Sequence, residues 1–372
     1  MGLEVKIRKK FGNFVLDVAF ESKEGVLGLL GASGCGKSMT LKCIAGVVRP
    51  EEGRIVLNGR VLFDSKARID LPPQKRRVGY LFQDYALFPD MTVERNILCG
   101  AGTKEKTEQY LKRYALEEVR KQYPAQLSGG QKQRVALARM LAAEPEAVLL
   151  DEPFSALDNF LKARMERELM SMLDGYANPV LFVSHDRNEV YRLTDTIAVM
   201  QQGQIADISE KHELFRAPKT LAATLLTGCK NVTGLKPLAD GTYLARDWGI
   251  RLQGPKEGEH AGGAAKQQYV FAGFRAHYAV PVTGREAEAC RKEKAARGAK
   301  PAENLLECEI LREIEDTFSV VVQFYPKDLS VRTEYSLLTY ETGKEEWERI
   351  RAESNGELFL RIPPEAVIWM TH

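Results

Sequence analysis

The chain has 372 residues, 44% of them apolar and 28% charged, with 53 basic against 51 acidic side chains. That length exceeds one comfortable hydrophobic core, so two domains are expected, and the apolar content excludes disorder of the whole chain. The nearly cancelling charge gives no electrostatic footprint for nucleic acid, and no apolar run reaches the roughly 18 to 20 residues that span a bilayer.

Any work at a membrane is therefore expected to pass through a partner. The opening residues Met1-Gly2-Leu3-Glu4-Val5 carry no signal-peptide core. The 6 cysteines show neither a CxxC pair nor a metal-ligand spacing, which fits a reduced, cytoplasmic setting.

In chain order, residues 25–30 form a short apolar run that stops at Gly31, and residues 39–47 read as a helix. That is a strand, a phosphate-sized loop and a helix. Residues 84–144 turn mostly helical, with 93–98, 107–123 and 131–143 as candidates, which reads as an insert within a sheet domain. Strand-like runs follow at 147–150, 180–183 and 196–200, with a helix expected over 157–173. Alternation of this kind predicts an α/β architecture with a largely parallel sheet. After residue 228 the pattern changes to short β-type runs at 241–245, 269–274, 319–324 and 358–362. Residues 284–303, rich in Ala, Lys, Arg and Glu, read as a solvated insertion or linker.

Three segments carry chemistry. Gly31-Ala32-Ser33-Gly34-Cys35-Gly36-Lys37-Ser38 fits the phosphate-loop pattern, in which backbone N–H groups and a helix N-terminus converge on anionic oxygens. Lys37 would meet the β and γ phosphates, the Ser38 hydroxyl would hold Mg²⁺, and Met39 continues into the helix. Ala147-Val148-Leu149-Leu150-Asp151-Glu152 is an apolar strand ending in two carboxylates. Asp151 can reach the Mg²⁺ shell, and Glu152 can polarise an attacking water. Leu127-Ser128-Gly129-Gly130-Gln131 precedes a helical stretch, so Ser128 and the two glycine amides suit a terminal phosphate.

Taken together, these segments resemble the ATP-binding-cassette (ABC) ATPases over about residues 1–228. The resemblance implies a P-loop cassette with a helical subdomain at about 84–145, followed at 229–372 by a small β-rich, OB/TOBE-like barrel that is regulatory or dimerising. It makes 31–38 the Walker A loop, 148–152 the end of Walker B and 127–131 the signature. Gln83 becomes the Q-loop residue that touches Mg²⁺ and the water, Ser155-Ala156-Leu157-Asp158 the D-loop, and His185 the switch histidine on the γ-phosphate. Phe11 is the best match for the aromatic that stacks on adenine, with Phe14 second. In this family the signature faces the other subunit's ATP. One Walker A and one signature thus imply a second cassette, either a homodimer or a heterodimer.

Gln83-Asp84-Tyr85-Ala86-Leu87-Phe88-Pro89 looks like the segment by which importer cassettes receive a helix of the membrane permease. Read physically, it is an exposed apolar socket beside Gln83, or side chains that pack the helical insert. Residues 53–62 and 72–80 resemble molybdate and tungstate importer ATPases more than their sugar or polyamine relatives. The sequence therefore predicts the ATPase subunit of a binding-protein-dependent importer, with sulfate, ferric ion, polyamines or sugar as alternative cargoes. A soluble cassette acting on DNA or ribosomes is the competing class.

Overall fold

Leu3, Val5 and Ile7 alternate with exposed Glu4, Lys6 and Arg8, the two-residue period of a half-buried strand. In the computed structural model they lie in β1 (Leu3–Phe11), which turns at Gly12 and Asn13 into β2 (Phe14–Ser22). Gly12 has φ +58°, the left-handed conformation such a tight turn requires, and Phe11 and Phe14 are the last cross-strand pair. The structure describes residues 2–23, 25–155, 159–173, 175–254, 269–284, 286–288, 304–327, 329, 331–354 and 358–371.

The chain divides into two compact units, Met1–His212 and Glu213–His372. In the first, the order continues through β3 (Val26–Leu30), α1 (Lys37–Ala45), β4 (Glu52–Leu57), β5 (Arg60–Asp64), β6 (Ile69–Asp70), α2 (Pro73–Arg76) and β7 (Val78–Leu81). Helices α3 (Val93–Ala101), α4 (Lys104–Arg113) and α5 (Gly129–Ala142) then form the expected insert. The unit closes with β8 (Ala147–Asp151), α6 (Asn159–Leu173), β9 (Val180–Ser184), α7 (Arg187–Leu193), β10 (Thr196–Gln201) and β11 (Gln204–Glu210).

Two sheets result. One is an antiparallel set in the order β2-β1-β4-β5-β6, and the other runs β11-β10-β3-β9-β8-β7. Strands β10, β3, β9, β8 and β7 pair in parallel, with β11 antiparallel at the edge. β8 and β9 are buried at every position, which is why their sequences are unbroken apolar runs rather than alternating ones. Val5, Ile7, Leu16 and Val18 from one sheet, Leu29, Leu149 and Leu181 from the other, and Leu41 and Ile44 of α1 share one core. Trimming any of these leucines to alanine should cost about 2 to 5 kcal/mol.

The helix expected over 107–123 is shorter than its apolar spacing suggests. α4 ends at Arg113 because Ala115 takes φ +50°, a left-handed residue that stops the helix, although Leu116 and Val119 beyond it are still buried. The start of the helix expected from 157, and most of the insertion at 284–303, lie outside the described residues.

The second unit is β-rich. Strands Asn231–Pro237, Thr242–Ala245, Ile250–Gln253, Phe271–Phe274 and Ile368–Met370 make one antiparallel sheet. Val280–Val282, Leu305–Glu315, Ser319–Pro326, Leu338–Gly343 and Leu358–Arg361 make another, accompanied by a helix at Lys344–Ser354. Trp248, Phe274, Phe324, Trp347 and Trp369 fill the core. Fully buried Asn231 links the sheets, donating to the Thr339 carbonyl at 2.8 Å and accepting from its N–H at 2.7 Å. Among the described residues of the chain, no helix is long and apolar enough to cross a membrane.

Candidate functional site

The parallel register brings four strand ends level. Leu30 pairs with Ser184, Val183 with Asp151, and Leu150 with Leu81. The residues that follow those ends are the 31–38 loop, His185, Glu152 and Gln83. In an open parallel sheet, ligands bind at such carboxyl ends.

Backbone geometry makes the loop a cradle. Gly36 caps α1 at φ +109°, and a Cβ there would stand 2.9 Å from Leu16 Cδ1 and 3.1 Å from Phe14 Cζ. Gly31 has no more room, since a Cβ would come within 2.4 Å of the Met200 carbonyl oxygen and 2.6 Å of Cys35 Sγ. Cys35 is thus turned beneath the loop and buried. Ser33, Gly34, Gly36, Lys37, Ser38 and Met39 line a cleft of about 320 Å³ together with Phe11, Phe14 and Glu152. Lys37, only 4% exposed, folds back and donates to the Gly31 and Ala32 carbonyls at 2.7 and 3.0 Å.

Both candidate aromatics face this cleft from the tip of the β1–β2 hairpin, with ring centroids 6.5 Å apart. Phe14 rests against Gly36, while Lys9 Nζ sits 5.8 Å from the Phe11 ring centroid. A planar base can be received by either.

Opposite the loop, Asp151 is nearly buried and accepts two hydroxyl donors, Ser38 Oγ on Oδ1 and Tyr80 Oη on Oδ2, each at 2.7 Å. Burial, and then its bond to Asp151, push the Tyr80 phenol well above its usual range, so it remains a donor. Glu152 adopts φ +45°, and its N–H donates to the Val183 carbonyl at 3.0 Å. That strained turn directs the carboxylate to His185, whose Nδ1 lies 3.3 Å from Glu152 Oε1. Gln83 Nε2 donates to Ser155 Oγ at 3.1 Å, and Ser155 Oγ donates to the Glu152 carbonyl at 3.0 Å. Gln83 therefore reaches the Glu152 segment through Ser155.

No group of three or more His, Cys, Asp or Glu side chains among the described residues could hold a metal. One carboxylate and one hydroxyl beside an anion cradle fit Mg²⁺ instead, which keeps few protein ligands and takes the rest from water and phosphate oxygens.

Ser128 to Gln131 stand apart from this cleft. Ser128 caps α5 in a reciprocal box, accepting from Gln131 N–H at 3.3 Å while the Gln131 side chain accepts from Ser128 N–H at 2.8 Å. Ser128 and Gly129 are exposed and Gly130 is half-buried, and none of them lines the cleft. Asp158 lies outside the described residues.

The 83–89 socket needs one correction. Tyr85 is buried, its hydroxyl donating to the Pro153 carbonyl at 3.3 Å, so it is held against the segment that follows β8 rather than facing solvent. Phe88 is 45% exposed, with the Arg139 guanidinium 4.9 Å from its ring centroid. Sequence reasoning also missed Tyr80; its only signal was a hydroxyl in an otherwise apolar strand.

Residues 16–155 match the family model described as ABC transporter. The chain is 41% identical over 222 residues to the molybdenum import ATP-binding protein ModC of Paramagnetospirillum magneticum, covering 58% of this chain and 61% of that one. It is 42% identical over 238 residues to the Fe(3+) ions import ATP-binding protein FbpC of Haemophilus influenzae, covering 61% and 67%. It is 40% identical over 237 residues to the spermidine/putrescine import ATP-binding protein PotA of Bacillus cereus, covering 61% and 71%. The chain thus spans less than two thirds of the length of the molybdenum relative.

Proposed function

The chain belongs to the ABC transporter family, and from that premise we propose that it is the ATP-hydrolysing subunit of a binding-protein-dependent importer. The observation that carries this reading is the meeting of Lys37, Ser38, Asp151, Glu152 and His185 at the carboxyl ends of adjacent parallel strands, beside a cleft that Lys37, Ser38 and Glu152 line together with Phe11 and Phe14. In the proposed mechanism Phe11 or Phe14 stacks on adenine. The 31–38 amides cradle the phosphates, and Lys37 exchanges its loop carbonyls for phosphate oxygens. Ser38, Asp151 and Gln83 would hold Mg²⁺. Bound there, Mg²⁺ neutralises charge on the transferred phosphoryl group. Glu152 orients or deprotonates the attacking water, and His185 holds the γ-phosphate.

Exposed Ser128 and Gly129, with half-buried Gly130 and Gln131, belong, in this reading, to the nucleotide of a second cassette, and the family resemblance assigns Asp158 to the same junction. Closure of two cassettes on ATP would drive permease subunits at the cytoplasmic face of the membrane, and hydrolysis would reopen them. The catalytic cassette is assigned to residues 1–228, and the β-rich remainder to dimer support or binding of a regulatory anion. For cargo we favour molybdate or tungstate. The molybdenum import relative supports this, while comparable identity to the iron and polyamine relatives keeps those cargoes as alternatives.

Glu152→Gln is the deciding variant. It should bind ATP as the wild type does, lose hydrolysis by at least about a hundredfold, and accumulate as an ATP-dependent dimer on size-exclusion chromatography. Wild-type turnover in that variant removes Glu152 from its role. Co-purification should bring down permease subunits whose complex binds molybdate; recovery of none overturns the importer reading.

A further inference from the structure

His185 is an odd place to find geometric control. Its side chain is 55% exposed and, among the described residues, lies within ion-pair distance of one group, Glu152. What fixes it must act through its neighbours. Ser184, 2% exposed, precedes it, and Ser184 Oγ accepts from Asp186 N–H at 2.9 Å, bridging across the histidine. The same hydroxyl donates to Glu189 Oε2 at 2.5 Å. Glu189 is 4% exposed, and its other oxygen sits 2.5 Å from Lys162 Nζ. Lys162 also donates to Asp186 Oδ2 at 2.6 Å. One ammonium therefore grips both carboxylates that define the turn around His185.

Lys162 belongs to α6, the helix that follows the Glu152 segment, whereas Ser184, Asp186 and Glu189 belong to the end of β9 and the start of α7. We propose that Lys162 is a positioning residue that locks the Ser184–His185–Asp186 turn, and so holds the His185 imidazole against Glu152. The inference rests on the ATPase reading given above. The energetics favour a stiff element. A buried carboxylate with one charged and one hydroxyl partner is costly to strand, so the turn has no cheap alternative arrangement. A shift of about 1 Å in a catalytic group can cost about a hundredfold in rate.

The structure supplies its own control. Arg192 of α7 makes a bidentate pair with Glu166 of α6, at 2.8 and 2.7 Å. It joins the same two helices through Glu166 and acts on the turn carboxylates Asp186 and Glu189 only through longer-range charge. If Lys162 merely holds α6 to α7, losing Arg192 should do the same damage.

Lys162→Met, Lys162→Arg, Ser184→Ala and Arg192→Ala should be compared by steady-state ATPase kinetics, nucleotide titration and imidazole NMR. With only 5 histidines in the chain, His185 can be assigned by its loss in His185→Gln. Lys162→Met and Ser184→Ala should lower kcat at least about tenfold with nucleotide affinity held within about twofold, and should shift the His185 resonances. Lys162→Arg should recover most of kcat, and Arg192→Ala should lower the melting temperature while sparing both kcat and the His185 signal. Equal kcat losses in Lys162→Met and Arg192→Ala, or an unmoved His185 resonance in Lys162→Met, would overturn the proposal. Should Lys162→Met not fold, Ser184→Ala carries the same test without stranding a charge. If the wild type hydrolyses no ATP, the ATPase reading fails, and the His185 resonance alone decides the positioning role.

Discussion

The Ser38 hydroxyl and Asp151 Oδ1, 113 residues apart in sequence, meet at 2.7 Å. The contact makes α1 and β8 two halves of one site, and it leaves both oxygens of the Asp151 carboxylate specified, the second by Tyr80. Asp151→Asn cannot accept from both hydroxyls, because its amide nitrogen only donates. Mg²⁺-dependent nucleotide affinity should fall at least about tenfold, the size found when groups supporting a metal are removed. Titration of a fluorescent ATP analogue with and without EDTA measures it. Affinity equal to wild type in Mg²⁺ would show that Asp151 holds no metal.

At the far end of α1 stands Arg76, fully buried. Its guanidinium donates to the Cys43 and Ile44 carbonyls at 2.8 Å each, to the Leu71 carbonyl at 2.7 Å, and to Asp70 Oδ1 at 2.9 Å. Those first two carbonyls are among the C-terminal orphans of the helix whose N-terminus cradles phosphate. Arg76→Met strands the Ile44 carbonyl, leaves the Cys43 carbonyl only the Gly46 N–H at 3.2 Å, and should destabilise the first unit by about 3 to 5 kcal/mol. Arg76→Lys should rescue little, since one ammonium cannot reproduce the planar fork. Urea unfolding decides the point, and an unchanged midpoint in Arg76→Met would refute the capping role.

Legibility in the sequence followed physical locality. Val26-Leu27-Gly28-Leu29-Leu30 and Ala147-Val148-Leu149-Leu150 read as buried parallel strands because both their faces are covered, and the groups that follow each strand are fixed by the chain itself. Lys162 was silent because its partners Asp186 and Glu189 are adjacent only once α6 and α7 lie side by side. Tyr85 was misjudged as exposed because nothing in a Tyr-Ala-Leu-Phe string reveals the left-handed φ of +63° at Tyr85 and +42° at Ala86 that accompanies its burial. Leu305–Glu315 escaped notice as a strand because its residues from Glu309 onward are exposed, so charge rather than alternation dominates it.

Cysteine reactivity offers a test of burial that needs no nucleotide. Cys99 is exposed, whereas Cys43, Cys229 and Cys308 are buried. Burial pushes the Cys43 and Cys229 thiols up to about 11 each, and that of Cys308 higher still. Thiolate is the reacting form, so at pH 8 a thiol near 11 is only about one part in a thousand reactive, against roughly a quarter for an ordinary cysteine. With Cys290, which lies outside the described residues, replaced by serine, iodoacetamide at pH 8 should label Cys99 first. Labelling at Cys43 and Cys229 should rise about tenfold per pH unit up to about pH 10 as thiolate accumulates, and should jump in denaturant. Peptide mapping by mass spectrometry follows each site. Native Cys43 reacting within about tenfold of Cys99 at pH 8 would mean that the α1 core opens to solvent, contrary to its packing against β7 and β8.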